Sequence, residues 1–276
     1  MVRIQGATFG DVTDRATRLL GIAQARGYAY DGSSWLEQRA DGYNRLGMID
    51  IPWWVRKYGG RPIFMDDMEG TLKWTQALGT ITKDSTATFV HSGTSALKGV
   101  TAAIAASVAA ATMFLAKPST SATKFQAAGV HFCLQAAADT TPRSFELDIR
   151  ISDGTTLYYA QVRYLHYLTS SQKKLQYYDS SQAWTDMAGG SMPIWVTQPQ
   201  WHDMVLMTKR GMTDWRYYRL FVDGKMFDLD TIALYSIASS DPPSYFVQLS
   251  ATTDAALATT FYADDFWLVE DMPSGY

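Results

Sequence analysis

Cysteine is nearly absent. Cys133 is the single thiol in 276 residues, so neither an intrachain disulfide nor a multi-thiolate metal site can form. Charge is sparse: 18% of residues are Asp, Glu, Lys or Arg, and a formal net charge of −3 offers no global field for nucleic acid or an anionic membrane surface. Histidine is confined to His91, His131, His166 and His202, with no pair at the i, i+4 spacing of a helical zinc site. No repeat of fixed period is present, which argues against a propeller or solenoid. The opening MVRIQGATFG lacks the basic-then-apolar order of a signal peptide, and none is expected. Val100 to Ala116 carries no charge over 17 residues, but Ala, Thr and Ser dominate it. That composition is too weakly apolar to insert into a bilayer and suits two strands meeting in a small-residue stretch.

What the chain does have is apolar and aromatic side chains. Hydrophobic residues make up 47% of it, including 9 Trp, 16 Tyr and 12 Phe, enough for a large core. The strongest pattern is Phe145-Glu146-Leu147-Asp148-Ile149-Arg150-Ile151, whose alternation of apolar and charged residues is that of a half-buried strand. Asp153-Gly154 and Asp223-Gly224 are hairpin turns between such runs. Further strands are predicted at 157–168, 174–178, 201–208, 215–222, 225–229, 245–250 and 261–270. About ten strands at short spacing, without amphipathic helices between them, predict an all-β antiparallel sandwich.

The first 62 residues differ. They hold nine Lys/Arg against six acids, a net +3, and leave −6 for the remainder. Residues 28–51 suggest a small three-strand meander with turns at Asp31-Gly32 and Asp41-Gly42, too small to be stable alone. Gly59-Gly60 and Pro62 mark a linker. The expected division is therefore 1–62, an arm and meander, and 63–276, the main domain.

Three segments of the main domain carry a family likeness: Phe64-Met65-Asp66-Asp67-Met68-Glu69-Gly70 before Trp74, His91-Ser92-Gly93-Thr94-Ser95-Ala96-Leu97-Lys98, and Phe261-Tyr262-Ala263-Asp264-Asp265-Phe266-Trp267-Leu268. They resemble the opening, following and closing strands of jelly-roll domains of the concanavalin A-like and carbohydrate-binding kind. Tyr30-Asp31-Gly32 with Trp35, then Asp41-Gly42 and Arg45-Leu46, is similar to segments of phage virion proteins. The resemblance implies a jelly roll, and in a jelly roll the first and last strands pair. Asp66, Asp67 and Glu69 would then approach Asp264 and Asp265, a set of oxygen ligands that suits structural calcium; the alternative is that these acids are solvated at the rim.

Glu146-Leu147-Asp148-Ile149 also resembles the start of the catalytic strand of laminarinase-type glycoside hydrolases. Retaining hydrolysis needs a second acid about 5–5.5 Å from the nucleophile. Its position here is Arg150 in regular register or Ile151 after a bulge, so no enzyme is expected and Glu146 and Asp148 read as a charged outer face. Cys133, beside His131 in an apolar run, reads as an inert small hydrophobe rather than a nucleophile. The resemblances together imply a structural component of a phage virion, as capsid decoration or in a tail or fibre. Residues 1–62 would contact other virion proteins, the chain would form a homo-oligomer, and the jelly roll could touch cell-surface glycan. No nucleic-acid or membrane partner is expected. The alternatives are a carbohydrate-binding module and, third, a glycoside hydrolase.

Overall fold

The computed structural model describes the backbone of residues 3–4, 7–8, 27–30 and 35–38, and residues 61–116, 125–136, 143–166, 173–191, 200–211, 214–253 and 257–270. The chain divides into two compact units, Met1–Gly60 and Arg61–Tyr276. In the first, β1 (Arg3–Ile4) pairs with β2 (Ala7–Thr8), and β3 (Gly27–Tyr30) pairs antiparallel with β4 (Trp35–Gln38), setting Tyr30 opposite Trp35. The two-strand ribbon falls where the first hairpin of the meander was expected. The third strand, at 46–51, lies outside the described residues.

The second unit is built from β5 (Arg61–Asp66), β6 (Thr75–Leu78), β7 (Thr80–Asp84), β8 (Ala96–Val100), β9 (Ser107–Ala116), β10 (Phe125–Ala136), β11 (Arg143–Ser152) and β12 (Thr156–His166). It continues with β13 (Lys174–Tyr178), β14 (Trp184–Ser191), β15 (His202–Arg210), β16 (Trp215–Val222), β17 (Lys225–Asp228), β18 (Tyr235–Ala238), β19 (Ser244–Thr253) and β20 (Thr259–Glu270). They form two eight-stranded antiparallel sheets. One runs β17-β16-β15-β10-β20-β8-β7, with β5 also on β20; the other runs β14-β13-β12-β11-β19-β9-β6, with β18 also on β12. This is the all-β antiparallel sandwich that the alternation and the turn spacing predict and the jelly roll that the resemblance implies, and its first and last strands, β5 and β20, do pair. No described helix is long and apolar enough to cross a membrane. The uncharged stretch from Val100 to Ala116 holds the end of β8 and the whole of β9.

Alternation explains the layers. Phe145, Leu147, Ile149 and Ile151 of β11 and Tyr245, Val247, Leu249 and Ala251 of β19 enter the core. Ala128, Val130, Phe132 and Leu134 of β10 and Phe261, Ala263, Phe266 and Leu268 of β20 meet them from the other sheet. Phe132 and Phe145 stack across the interface with centroids 4.3 Å apart. Strand β10 has small or apolar residues on both faces, so it shows no period-two signal and is hard to recognise from sequence. Two glycines let aromatic rings lie flat on the backbone. A Cβ on Gly99 would stand 2.1 Å from the Phe261 ring, and one on Gly129 would stand 2.4 Å from the Trp267 indole. At the β16–β17 turn Asp223 (φ 50°) and Gly224 (φ 76°) are both left-handed, the type I′ geometry that Asp-Gly favours.

Strand β12 has an interrupted edge. β18 pairs with residues 156–159 and β13 with residues 162–165, leaving the Gln161 backbone between them. The buried Tyr217 of β16 reaches across the core to fill the gap. Its hydroxyl accepts the Gln161 N–H at 2.9 Å and lies 2.9 Å from the carbonyls of both Gln161 and Tyr178. Burial raises the pKa of this phenol, which therefore stays protonated and can donate. Replacing Tyr217 by Phe strands these backbone groups without water, and the expected loss is about 1–3 kcal/mol of stability. Chemical denaturation at unchanged m measures it, and a loss under about 0.5 kcal/mol would mean the gap does not need the hydroxyl.

Candidate functional site

The outward residues of the β11 sheet are not an ordinary solvated face. Register aligns them in rows, because β11 pairs with β12 and β19 without a bulge. One row crosses five strands: Tyr235, Tyr159, Arg150, Phe246 and Phe114. At the usual strand spacing it is about 19 Å long. The next row holds Gln161, Asp148, Gln248 and Thr112, and the one after it Asp186, Gln176, Arg163, Glu146 and Ser250.

Rings and guanidinium groups pack together on this surface. The Arg150 guanidinium lies 5.1 Å from the Tyr159 ring centre and 4.7 Å from that of Phe246. Arg163 lies 4.1 Å over the Trp184 ring. Tyr159 and Tyr235 are 5.2 Å apart, and Tyr178 meets both Trp184 and Tyr235 edge-on. Each arginine also holds an acid. Arg150 Nε and Nη2 donate to Asp148 Oδ2 at 2.9 and 2.6 Å, while Arg163 Nη1 stands 3.7 Å from Glu146 and its Nε donates to Gln176 at 2.8 Å. Lys174 and Gln176 both donate to Asp186.

Glu146 and Asp148 do point outward, as alternation requires, but Asp148 is 1% exposed. The expected solvated acidic face is instead an acid buried beneath its arginine and the flanking rings. Burial raises the pKa of both acids, against the pull of Arg163 on Glu146 and of Arg150 on Asp148. Asp148 Oδ1 is buried without a well-formed hydrogen bond, although the Gln161 side chain also favours its ionised form. The unbroken register puts Arg150, not Ile151, at the position where the hydrolase pattern has its second acid.

The acids expected to gather around calcium have separate partners. Asp66 Oδ1 accepts from Lys73 at 2.7 Å and from the Met68 N–H, and Oδ2 accepts from the Trp74 indole. Asp67 accepts the Glu69 N–H in a local turn. The Glu69 carboxylate receives Thr94 and Ser95, and Lys83 donates to the carbonyls of Glu69 and Gly70 at 2.8 and 2.7 Å. Burial raises the Glu69 pKa, but these hydrogen bonds and the Lys83 charge outweigh it and hold it below the ordinary value. Lysine ammonium groups thus stand among the oxygens of this segment.

Asp264 and Asp265 are fully buried on a β-bulge opposite His131 of β10. Asp264 Oδ2 accepts the N–H groups of His91 and Ser92, and Oδ1 accepts that of Asp265. Burial nevertheless pushes its pKa up to about 8. Asp265 Oδ2 faces Nδ1 of His91 at 3.1 Å and Nδ1 of His131 at 3.2 Å, and Oδ1 accepts the Ser92 hydroxyl. Burial, then the neighbouring His91, lower the His131 pKa to about 3, so its ring is neutral.

The other histidines lie elsewhere: His166 contacts the Tyr164 hydroxyl, and His202 meets Asp223 at the β16–β17 turn. Cys133 is buried on the same strand face as His131, and burial raises its pKa to about 11, the inert thiol expected. The pairing of His91 with His131, and the alignment of Phe114, Phe246 and Tyr235 with Arg150, had no signal in sequence spacing, because both depend on register between distant strands.

No known protein family matches the chain, and no curated protein does. Solved structures share the sandwich at low similarity. A carbohydrate esterase of the Shiga toxin-encoding bacteriophage phi24B is 14% identical, with a TM-score of 0.46 over 77% of this chain and 100% of its own. The CBM2 module of the evolved Dit of Lactobacillus casei BL23 phage J-1 is 10% identical, with a TM-score of 0.44 over 78% of this chain and 98% of its own. Lectin II from Ulex europaeus is 12% identical, with a TM-score of 0.41 over 76% of this chain and 98% of its own. Identities and scores this low carry no inference about ligand or activity.

The pair of partly exposed Arg150 and buried Asp148 is open to a double-mutant cycle. Arg150→Met leaves Asp148 buried without its cation, and the expected loss is about 3 kcal/mol. Asp148→Asn in the same chain should recover part of that, with a coupling energy of about 1–3 kcal/mol from equilibrium unfolding. Additive losses would show that the two groups do not depend on each other.

Proposed function

We propose that the sandwich recognises glycan without cleaving it, through the outer face of the β11 sheet, and that the chain is a structural component of a phage virion. The observation that carries the glycan part is the cross-strand row of Tyr235, Tyr159, Arg150, Phe246 and Phe114, flanked by Tyr178 and Trp184. Flat rings offer apolar faces to the C–H side of a pyranose, while the adjacent Gln161, Gln176, Gln248 and the ion pairs offer donors and acceptors to its hydroxyls. Arg150, Arg163 and Lys174 are matched by Asp148, Glu146 and Asp186, so the face has no excess of either sign. That balance favours a neutral glycan over a polyanion.

Arg150 at the second-acid position speaks against double displacement on β11, since a guanidinium there cannot serve as the acid that protonates a leaving group. Expected outcomes on a glycan array and in calorimetry are binding by the full chain and a loss of about tenfold or more in affinity with Trp184→Ala or Tyr159→Ala. No reducing sugar should be released from any glycan that binds. Release that Glu146→Gln abolishes would replace the binding role with an enzymatic one, and unchanged affinity in both aromatic variants would move the site off this face.

The phage part rests on the likeness of Tyr30-Asp31-Gly32, Trp35 and Asp41-Gly42 to segments of virion proteins. In this reading residues 1–62 attach the chain to other virion proteins or to further copies of itself, as capsid decoration or within a tail or fibre. Removal of residues 1–60, which spares β5, should leave a sandwich that melts cooperatively but sediments as a monomer, whereas the full chain sediments as an oligomer or joins particles. Equal assembly by the full and shortened chains would overturn that assignment.

A further inference from the structure

We propose that His91, His131 and Asp265 form a binding site for a divalent transition metal of the zinc class. One donor atom from each lies within 4.8 Å of the others, and no other group of three or more His, Cys, Asp or Glu side chains among the described residues has this spacing. The separations suit the ion. His91 Nδ1 and His131 Nδ1 are 3.1 and 3.2 Å from Asp265 Oδ2, and tetrahedral zinc with bonds of about 2.0–2.1 Å keeps its ligand atoms about 3.3 Å apart. Two imidazoles and one carboxylate suit Zn, Fe, Ni or Cu and not calcium, which takes oxygen ligands.

The surrounding structure holds the three groups in place. Ser92 Oγ donates to Asp265 Oδ1 at 3.0 Å, which turns Oδ2 toward both imidazoles. The loop bearing His91 is fixed to the bulge because its N–H and that of Ser92 both donate to Asp264 Oδ2 at 3.1 Å. Asp265 itself has φ 52°, a conformation unfavourable for a non-glycine residue and of the kind found where a side chain must be aimed. The Trp201 ring, 5.4 Å from that of His91, forms one wall. Asp265 is buried, whereas the His91 and His131 side chains are 24% and 16% exposed, so the three donors lie at the boundary of the packed sheet. The site is on the β20 sheet, separate from the row of rings on the β11 sheet, and stands whether or not that row binds glycan.

The test uses the untagged full chain, stripped with a chelator and titrated with Co²⁺. The expected result is a set of visible d–d bands of a four- or five-coordinate ion, saturating at one equivalent and displaced by Zn²⁺. His91→Ala, at a partly exposed loop position, and His131→Ala should each abolish the bands in a chain that still melts cooperatively. Ser92→Ala should weaken binding about 10–100-fold. Zn²⁺ should raise the melting temperature of the parent chain and leave that of His91→Ala unchanged. Absence of bands from the folded parent chain, or bands indifferent to both histidine variants, overturns the proposal. So does a melting temperature raised by Ca²⁺ but by neither Zn²⁺ nor Co²⁺, which would favour an all-oxygen site among Asp66, Asp67, Asp264 and Asp265.

Discussion

The hydroxyl of Tyr217 is the constraint on which the ring-bearing face depends. A strand edge shared between two short partners leaves backbone groups unpaired at the junction, and within a core those groups are costly. Here the junction falls at Gln161, between β18 and β13 on the edge of β12, and one phenol from the opposite sheet closes it. Those two strands bring Tyr235 beside Tyr159 and Tyr178 beside Tyr235. A polar contact in the interior therefore sets the spacing of aromatic rings on the exterior, and the sandwich and its outer face are not independent.

The β20 bulge does comparable work on the other sheet. One extra residue on β20 places two successive carboxylates, Asp264 and Asp265, outward where simple alternation would place one. The first anchors the 91–92 loop through backbone N–H groups, and the second meets the side chains of that loop and of β10. The same bulge precedes Trp267, whose indole covers Gly129. Positive φ at a non-glycine residue is the local cost of this arrangement.

Much of the fold was legible because its causes are local. The Phe145–Ile151 alternation, the Asp223-Gly224 turn and the lack of helical periodicity each follow from a few adjacent residues, and the structure has the corresponding strand, turn and layers. Strand β10 was less legible, since Ala127, Ala128, Gly129 and Cys133 pack on both sides and leave no polar face to mark the period. The outer surface was legible by composition but not by arrangement. That Arg150 lies between Phe246 and Tyr159 requires the register of the β11–β12 hairpin against β19, nearly a hundred residues further on. The same limit hid the pairing of His91 and His131, whose separation in sequence fits no helical ligand spacing but whose strand and loop are brought together by β20.

Burying Asp148 beneath Arg150 has a consequence for what the face can do. Desolvating Asp148 offsets much of what its attraction to the partly exposed Arg150 returns, so the pair contributes little to net stability. What it does fix is geometry. The guanidinium is planar, and with two hydrogen bonds to one carboxylate oxygen it is held between two rings rather than free to sweep through solvent. The result is a row of rings with one guanidinium held among them, which loses less side-chain entropy when a ligand covers it than a freely rotating arginine would.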